Sequence, residues 1–337
     1  MLIEVRGLKK YFPVRRSWSD ILKGREQKFV KAVNDLNFTI EENEVFCLAG
    51  ESGCGKSTTG RLLVRLLEPT GGQVLFEGRN IYEIPKGEFK EYRRRMQIIF
   101  QDPYESLNPR MTIYDLVEEP LRIHGVRSEE ERFDMVYQAL KDVGLEPPED
   151  FMIRYPHQLS GGQRQRVAIA RALILNPKFV VADEPVSMLD VSIRAGILKL
   201  MLDLKEKYGL TYLFITHDLS VAYHMCDRLA IMYLGKIVEL GPADSVILDP
   251  KHPYTKALVE AVPKGQVDYR RKLKKVPIKG DVPSPIDLPN GCIFHPRCVE
   301  AFEPCNKDEP KLVEVEEGRF VACHLYRRSP GRWSSRP

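Results

Sequence analysis

Gly50-Glu51-Ser52-Gly53-Cys54-Gly55-Lys56-Ser57-Thr58 is the stretch from which the rest of the chain is read. It fits G-x-x-x-x-G-K-[ST] and follows a strand-length apolar run at residues 44–49. Glycines let a loop close around phosphate, so that successive backbone N–H groups and the positive end of a following helix face the anion. A helix is expected over residues 58–67, directly after the loop. Lys56 is placed to reach the β and γ phosphates, and the Ser57 hydroxyl to hold Mg²⁺. Strand, loop and helix in this order argue against a bare glycine turn, and ATP or GTP is the expected ligand.

Further along, an apolar run at residues 179–182 ends in Asp183-Glu184. Alone, such a pair reads as a surface turn. Beside a phosphate loop, the first carboxylate can bind Mg²⁺ through water while the second polarises an attacking water. Upstream of it, Leu159-Ser160-Gly161-Gly162-Gln163 opens a run of good helix formers over 164–175. Ser160 stands where an N-cap belongs, and the glycines expose the helix's free N–H groups, which makes a second anion site. Two such sites meet on one nucleotide either within one subunit or between two subunits that face each other.

Around these motifs, strand runs at 44–49, 97–100, 179–182 and 212–216 alternate with helical patterns, an α/β arrangement with a largely parallel core sheet. The stretch 103–158 breaks the rhythm. Phe133, Val136, Leu140 and Val143 recur there at threes and fours, the face of a helix in an inserted helical subdomain. After Asp249, prolines 250, 253, 263, 277, 283, 285, 289 and 296 mark a turn-rich appendage. With 337 residues, the chain divides on this reading into a large domain, 1–249, and a tail, 250–337. The run Arg270-Arg271-Lys272-Leu273-Lys274-Lys275 reads as a solvated face. A hydrophobic fraction of 43% with a net charge of only +4 argues against disorder and against a general nucleic-acid binder. No apolar run approaches the roughly 20 residues of a membrane span. The opening Met-Leu-Ile-Glu-Val-Arg has no export-signal pattern, so a cytosolic place is expected.

Motifs in this order resemble the ATP-binding cassette (ABC) family, with Leu159 to Gln163 matching its signature sequence. The resemblance implies a P-loop NTPase fold: a RecA-like α/β core, a helical subdomain at about 103–160, an antiparallel β subdomain and a C-terminal cysteine-containing appendage. It implies a second cassette, each ATP being held by the phosphate loop of one protomer (Gly50, Ser52 to Thr58) and by Ser160, Gly161, Gly162 and Gln163 of the other. Gln101 matches the Q-loop that senses the γ-phosphate and Mg²⁺, and His217 the switch histidine. Ser187-Met188-Leu189-Asp190 matches the D-loop, with Met188 in place of the usual Ala. Phe12 matches the aromatic residue that stacks on adenine, with Tyr11 beside it; the basic stretch 15–28 blurs that register. Lys56, Ser57, Asp183 and Glu184 then act in attack of water on the γ-phosphate, with Glu184, His217 and Gln101 as the catalytic set.

His252-Pro253-Tyr254-Thr255 and the block running from Gly280 through Gly291-Cys292-Ile293-Phe294-His295-Pro296-Arg297-Cys298 are similar to the C-terminal region of oligopeptide and dipeptide importer ATPases. That likeness implies separate membrane permease subunits, a solute-binding protein acting indirectly, and a peripheral position on the cytoplasmic face of the membrane. Nickel complexes or oligosaccharides are alternative solutes, and a soluble ABC ATPase acting on nucleic acid or ribosomes is a rival class. Of seven cysteines, Cys47, Cys54 and Cys226 are expected as thiols without a role, since a disulfide framework does not suit this composition. Cys292, Cys298, Cys305 and Cys323 fall as C-x₅-C-x₆-C-x₁₇-C, without the close pairs of zinc sites. Spacing leaves free thiols, an iron–sulfur cluster and zinc open; the resemblance implies a [4Fe–4S] centre on these four.

Overall fold

The computed structural model describes residues 1–16, 24, 26–262 and 278–326. The basic run at 270–275, Pro263 and Pro277 lie outside the described residues. Strands β1 (Ile3–Pro13) and β2 (Phe29–Ile40) pair antiparallel, and β3 (Val45–Ala49) follows. With β4 (Gly71–Phe76) and β5 (Arg79–Asn80), the first two strands make a four-stranded antiparallel sheet of order β2-β1-β4-β5.

The second sheet carries the site. It takes β3 together with β6 (Met96–Ile99), β7 (Phe179–Asp183), β8 (Thr211–Thr216), β9 (Arg228–Tyr233), β10 (Lys236–Pro242), β11 (Val313–Glu316) and β12 (Arg319–Val321). Their order is β11-β12-β10-β9-β3-β8-β7-β6. The run from β9 to β6 is parallel, and β10, β12 and β11 add antiparallel strands at one edge. Strands covered on both faces read as continuous apolar runs, and every residue of β3, β7 and β8 is buried. Alternation then sorts side chains into two cores. Val45, Cys47, Ala49, Val180, Ala182, Tyr212 and Phe214 join one cluster, while Phe46, Leu48, Phe179, Val181, Leu213 and Ile215 join the other.

Three expectations change. The tail is not merely turn-rich, because β12 pairs with β10 and β11 with β12, so the last described strands complete the main sheet. Proline density misses this because the alternating Val313-Glu314-Val315-Glu316 lies beyond the last of those prolines. The helix after the phosphate loop is Lys56–Leu63, earlier and shorter than 58–67. Left-handed Gly55 starts it, and left-handed Arg65 at φ 52 prevents its continuation. Cys47 and Cys226 are joined in a disulfide, with Cα atoms 5.9 Å apart. A sequence separation of 179 hid that neighbourhood, which β3 and the end of helix Leu219–Met225 create.

Helices Pro103–Ser106, Ile113–Ile123, Glu129–Asp142 and Pro148–Met152 fill the stretch before Ser160. Local chemistry sets their starts: Thr112 and Asp115 form a reciprocal capping box, and the Ser128 hydroxyl accepts from the Glu131 N–H. Val136, Leu140 and Val143 are buried on the expected face, whereas Phe133 is 44% exposed beside Tyr114 and Tyr137.

Candidate functional site

The turn from β3 into helix Lys56–Leu63 demands glycine at two points. Gly50 has φ +151 and Gly55 φ +106; a Cβ would stand 2.2 Å from the Met232 carbonyl oxygen at the first and 2.0 Å from that of Ala32 at the second. No side chain fits such contacts, so at both points backbone packs against backbone. Gly60 extends the demand into the helix, since its Cβ would meet Val181 Cγ1 at 2.8 Å and Ile215 Cδ1 at 3.0 Å. The helix lies flush on β7 and β8.

Lys56 Nζ donates to the carbonyls of Gly50 at 2.9 Å and Glu51 at 3.1 Å, and lies 3.8 Å from Cys54 Sγ. The ammonium thus rests inside its own loop. Burial of Cys54 pushes its thiol pKa up, and it stays an uncharged neighbour. Next along, Ser57 Oγ donates to Asp183 Oδ1 at 2.8 Å. Asp183 ends β7 and is buried, and burial raises its pKa against the opposing pull of the Ser57 hydrogen bond. A hydroxyl against a carboxylate, with the Gln101 amide across the cleft, is the hard oxygen set that suits Mg²⁺.

Glu184 follows Asp183 in a left-handed conformation, φ +47, which a non-glycine residue adopts at a cost. Its N–H donates to the Ile215 carbonyl at 3.0 Å, so the parallel partner β8 holds the turn. Glu184 Oε2 lies 3.0 Å from His217 Nδ1 and accepts from Gln101 Nε2 at 3.2 Å. Ala32, Ser52, Gly53, Gly55, Lys56, Ser57, Thr58, Gln101, Glu184 and His217 line one open cleft of about 480 Å³.

Other expected residues stand apart from this cleft. Ser160 Oγ accepts the Gln163 N–H at 3.3 Å and Gln163 Oε1 accepts the Ser160 N–H at 2.9 Å, a closed capping box at the head of helix Gly161–Leu173. Gly162 packs against the helix Val191–Tyr208, where a Cβ would reach Ile193 Cγ2 at 2.7 Å; Gly161 has ordinary room beside Leu189. Asp190 caps that second helix by position, exposed and with no capping bond from its side chain. Phe12, at the end of β1, carries the Lys10 ammonium over its ring at 5.1 Å. Tyr11 points its hydroxyl at Asn34 Oδ1, 2.6 Å away.

Sequence reading missed Ala32 as a cleft residue, and it missed how the loop is backed. Glu51 is bonded through its N–H to the Tyr254 hydroxyl at 2.9 Å and through its carboxylate to both Arg297 terminal nitrogens at 2.8 and 3.1 Å. The available signal was an acid inside an anion-binding loop, which requires a countercharge from elsewhere.

The iron–sulfur expectation is corrected. Among the described residues, no group of three or more His, Cys, Asp or Glu is placed to hold a metal ion. Cys292, Cys298, Cys305 and Cys323 are free, buried thiols, and the first three pack into the larger apolar cluster. Burial pushes Cys292 up to about 11 and Cys323 up to about 12, and Cys298 in the same direction. Such thiols remain protonated at neutral pH and behave as small hydrophobic side chains.

Residues 33–187 match the family described as "ABC transporter", and residues 238–305 match "Oligopeptide/dipeptide transporter, C-terminal region". The chain is 47% identical over 329 residues to the putative oligopeptide transport ATP-binding protein YkfD of Bacillus subtilis (strain 168), covering 97% of this chain and 96% of that protein. It is 46% identical over 322 residues to the dipeptide transport ATP-binding protein DppF of Haemophilus influenzae, covering 96% of each. Among solved structures it is similar to the dimeric post-hydrolysis state of the ATP-binding cassette MJ0796 bound to ADP and Pi. The TM-score is 0.61 at 31% identity, over 72% of this chain and 99% of that one.

Proposed function

Since the chain belongs to the ATP-binding proteins of oligopeptide and dipeptide ABC transporters, we propose that it hydrolyses ATP to energise peptide import through separate membrane subunits. The observation that carries this reading is the convergence of Lys56, Ser57, Gln101, Glu184 and His217 on one cleft. In the proposed chemistry, loop N–H groups and Lys56 cradle the β and γ phosphates, and Glu184 orients and deprotonates the attacking water. His217 Nδ1 lies 3.0 Å from Glu184 Oε2, the oxygen that also accepts from Gln101, so the two side chains together fix the direction of that base. Ser57, Asp183 and Gln101 would hold Mg²⁺, which when bound neutralises charge on the β and γ oxygens.

Ser160, Gly161, Gly162, Gln163 and Asp190 lie outside this cleft, and we assign them to the nucleotide of a second cassette. The MJ0796 cassette with ADP and Pi is dimeric, which supports that arrangement. Phe12 is assigned to the adenine. Residues 1–249 form the cassette, with its helical subdomain at about 103–160, and 250–337 the region characteristic of peptide transporters. No helix among the described residues is long and apolar enough to cross a membrane. In this reading, closure on ATP and reopening after hydrolysis are passed to permease subunits from the cytoplasmic face, with a solute-binding protein delivering peptide on the other.

Reconstitution of the chain with its permease subunits and companion cassette in vesicles tests this. ATP-dependent uptake of a labelled dipeptide or oligopeptide, lost in Lys56→Ala, is the expected result; hydrolysis that never responds to the membrane subunits or to peptide overturns it.

A further inference from the structure

Three groups of Glu51 are held at once. Its N–H donates to Tyr254, its carboxylate takes two bonds from Arg297, and its carbonyl accepts from Lys56 Nζ. The first two partners lie far downstream in sequence: Tyr254 is in helix Pro253–Ala261, and Arg297 closes the short turn His295–Arg297. Neither lines the cleft formed by Lys56, Ser57, Gln101, Glu184 and His217.

Those partners are themselves fixed. Tyr254 is fully buried, and its ring stands 4.7 Å from Tyr233 and 5.4 Å from Phe294 by centroids. Phe294 lies edge-on to Tyr233 at 5.3 Å, and the Arg297 guanidinium lies over the Tyr233 ring at 5.8 Å. Tyr233 ends β9, whose neighbour in the sheet is β3, the strand that feeds the loop. The Arg297 side chain is 9% exposed and that of Glu51 28%, so their bidentate pair is partly shielded from solvent. Such charge-assisted forks fix direction as well as distance.

Resting on the ATPase reading above, we infer that Arg297 and Tyr254 are positioning residues of the phosphate loop. They hold the Glu51 peptide so that Lys56 and the loop N–H groups stand ready for ATP, and they make nucleotide affinity depend on a docked tail. Affinity gained by holding a loop in its bound shape is preorganisation. It affects ground state and transition state alike, so its loss raises KM and leaves kcat in place.

The test uses the full chain and Mg-ATP, with binding measured on a Glu184→Gln background and turnover on the native one. Arg297→Gln and Glu51→Gln should each weaken binding about tenfold, equivalent to about 1.4 kcal/mol. The double variant should be no worse than either alone, since both break one contact. Arg297→Lys should fall between, because an ammonium cannot reproduce the fork. Tyr254→Phe, which removes only the hydroxyl, should raise KM for ATP with little change in kcat, and serves where an Arg297 variant does not fold. Affinities within about twofold of the parent, or losses that add in the double variant, overturn the inference while leaving the ATPase reading intact. A parent chain that does not bind Mg-ATP overturns both.

Discussion

Glu184 Oε2 lies 3.0 Å from His217 Nδ1 and 3.2 Å from Gln101 Nε2, so one carboxylate oxygen joins segments that follow three different strands, β7, β8 and β6. Parallel pairing of those strands brings their C-terminal ends to the same side of the sheet. Crevices at that end of an open α/β sheet are where such folds bind ligands. The strained φ of Glu184 is the local cost of aiming its side chain into the cleft.

Glu184→Gln removes the proposed base but keeps the size of the side chain. Hydrolysis should fall by about 10²- to 10⁴-fold while ATP binding persists. Phosphate release and nucleotide binding measured on the same sample check this; a variant that turns over at the parent's rate would remove Glu184 from the proposed role.

Gly162 presents a packing demand and, in the proposed dimer, a separate nucleotide contact. Gly162→Ala pushes a Cβ onto Ile193 and should destabilise the fold by about 1–3 kcal/mol. Adding Ile193→Ala makes room and should restore the denaturation midpoint. Hydrolysis should stay low in the repaired pair; full recovery would reduce Gly162 to a packing residue.

Arg319 and Glu239 form an ion pair at 2.9 Å with exposures of 2% and 0%, joining β12 to β10. Among the described residues, Arg319→Met leaves that acid buried with the N–H groups of Lys251 and His252 on it, at 3.0 and 2.8 Å. Breaking a buried pair from one side costs about 3–5 kcal/mol. Denaturant titration at constant m-value reads it directly.

His252 supplies the pH dependence. Its ring caps the helix after it, Nδ1 accepting the Tyr254 N–H at 3.0 Å, and burial, aided by nearby Lys256, pushes its pKa down from 6.5 to about 3. Between those values the unfolded chain binds a proton that the native chain refuses. Stability should therefore be complete above pH 6.5 and fall as pH drops toward 3, by up to about 1.4 kcal/mol per pH unit. His252→Asn keeps a capping acceptor and should flatten this contribution in urea titrations across the window.

The phosphate loop, its strand and the acid pair were legible because each is a local pattern: glycine spacing, an apolar run, two carboxylates at its end. β3 and β7 were found within a residue for the same reason. What was not legible depends on distant partners. Nothing near Cys47 announces Cys226, and nothing near Glu51 announces Arg297, 246 residues away. The four tail cysteines show a different failure: their spacing leaves free thiols, a cluster and zinc open, and the [4Fe–4S] centre that the family resemblance implies is not supported by the folded arrangement. β11 and β12 escape a sequence reading because they are four and three residues long, so even the alternation of Val313 to Glu316 is too brief to stand out beyond a proline-rich stretch.

The place of β12 in the main sheet has a consequence for synthesis. Until Val321 has left the ribosome, the outer edge of β10 has no neighbour, and its N–H and C=O groups are open to any extended segment nearby. Completion of this edge comes with nearly the last described residues, a long-range pairing made after the parallel core strands are already in place. Products that stop short of that strand should accumulate as aggregates even though every nucleotide motif has already been translated.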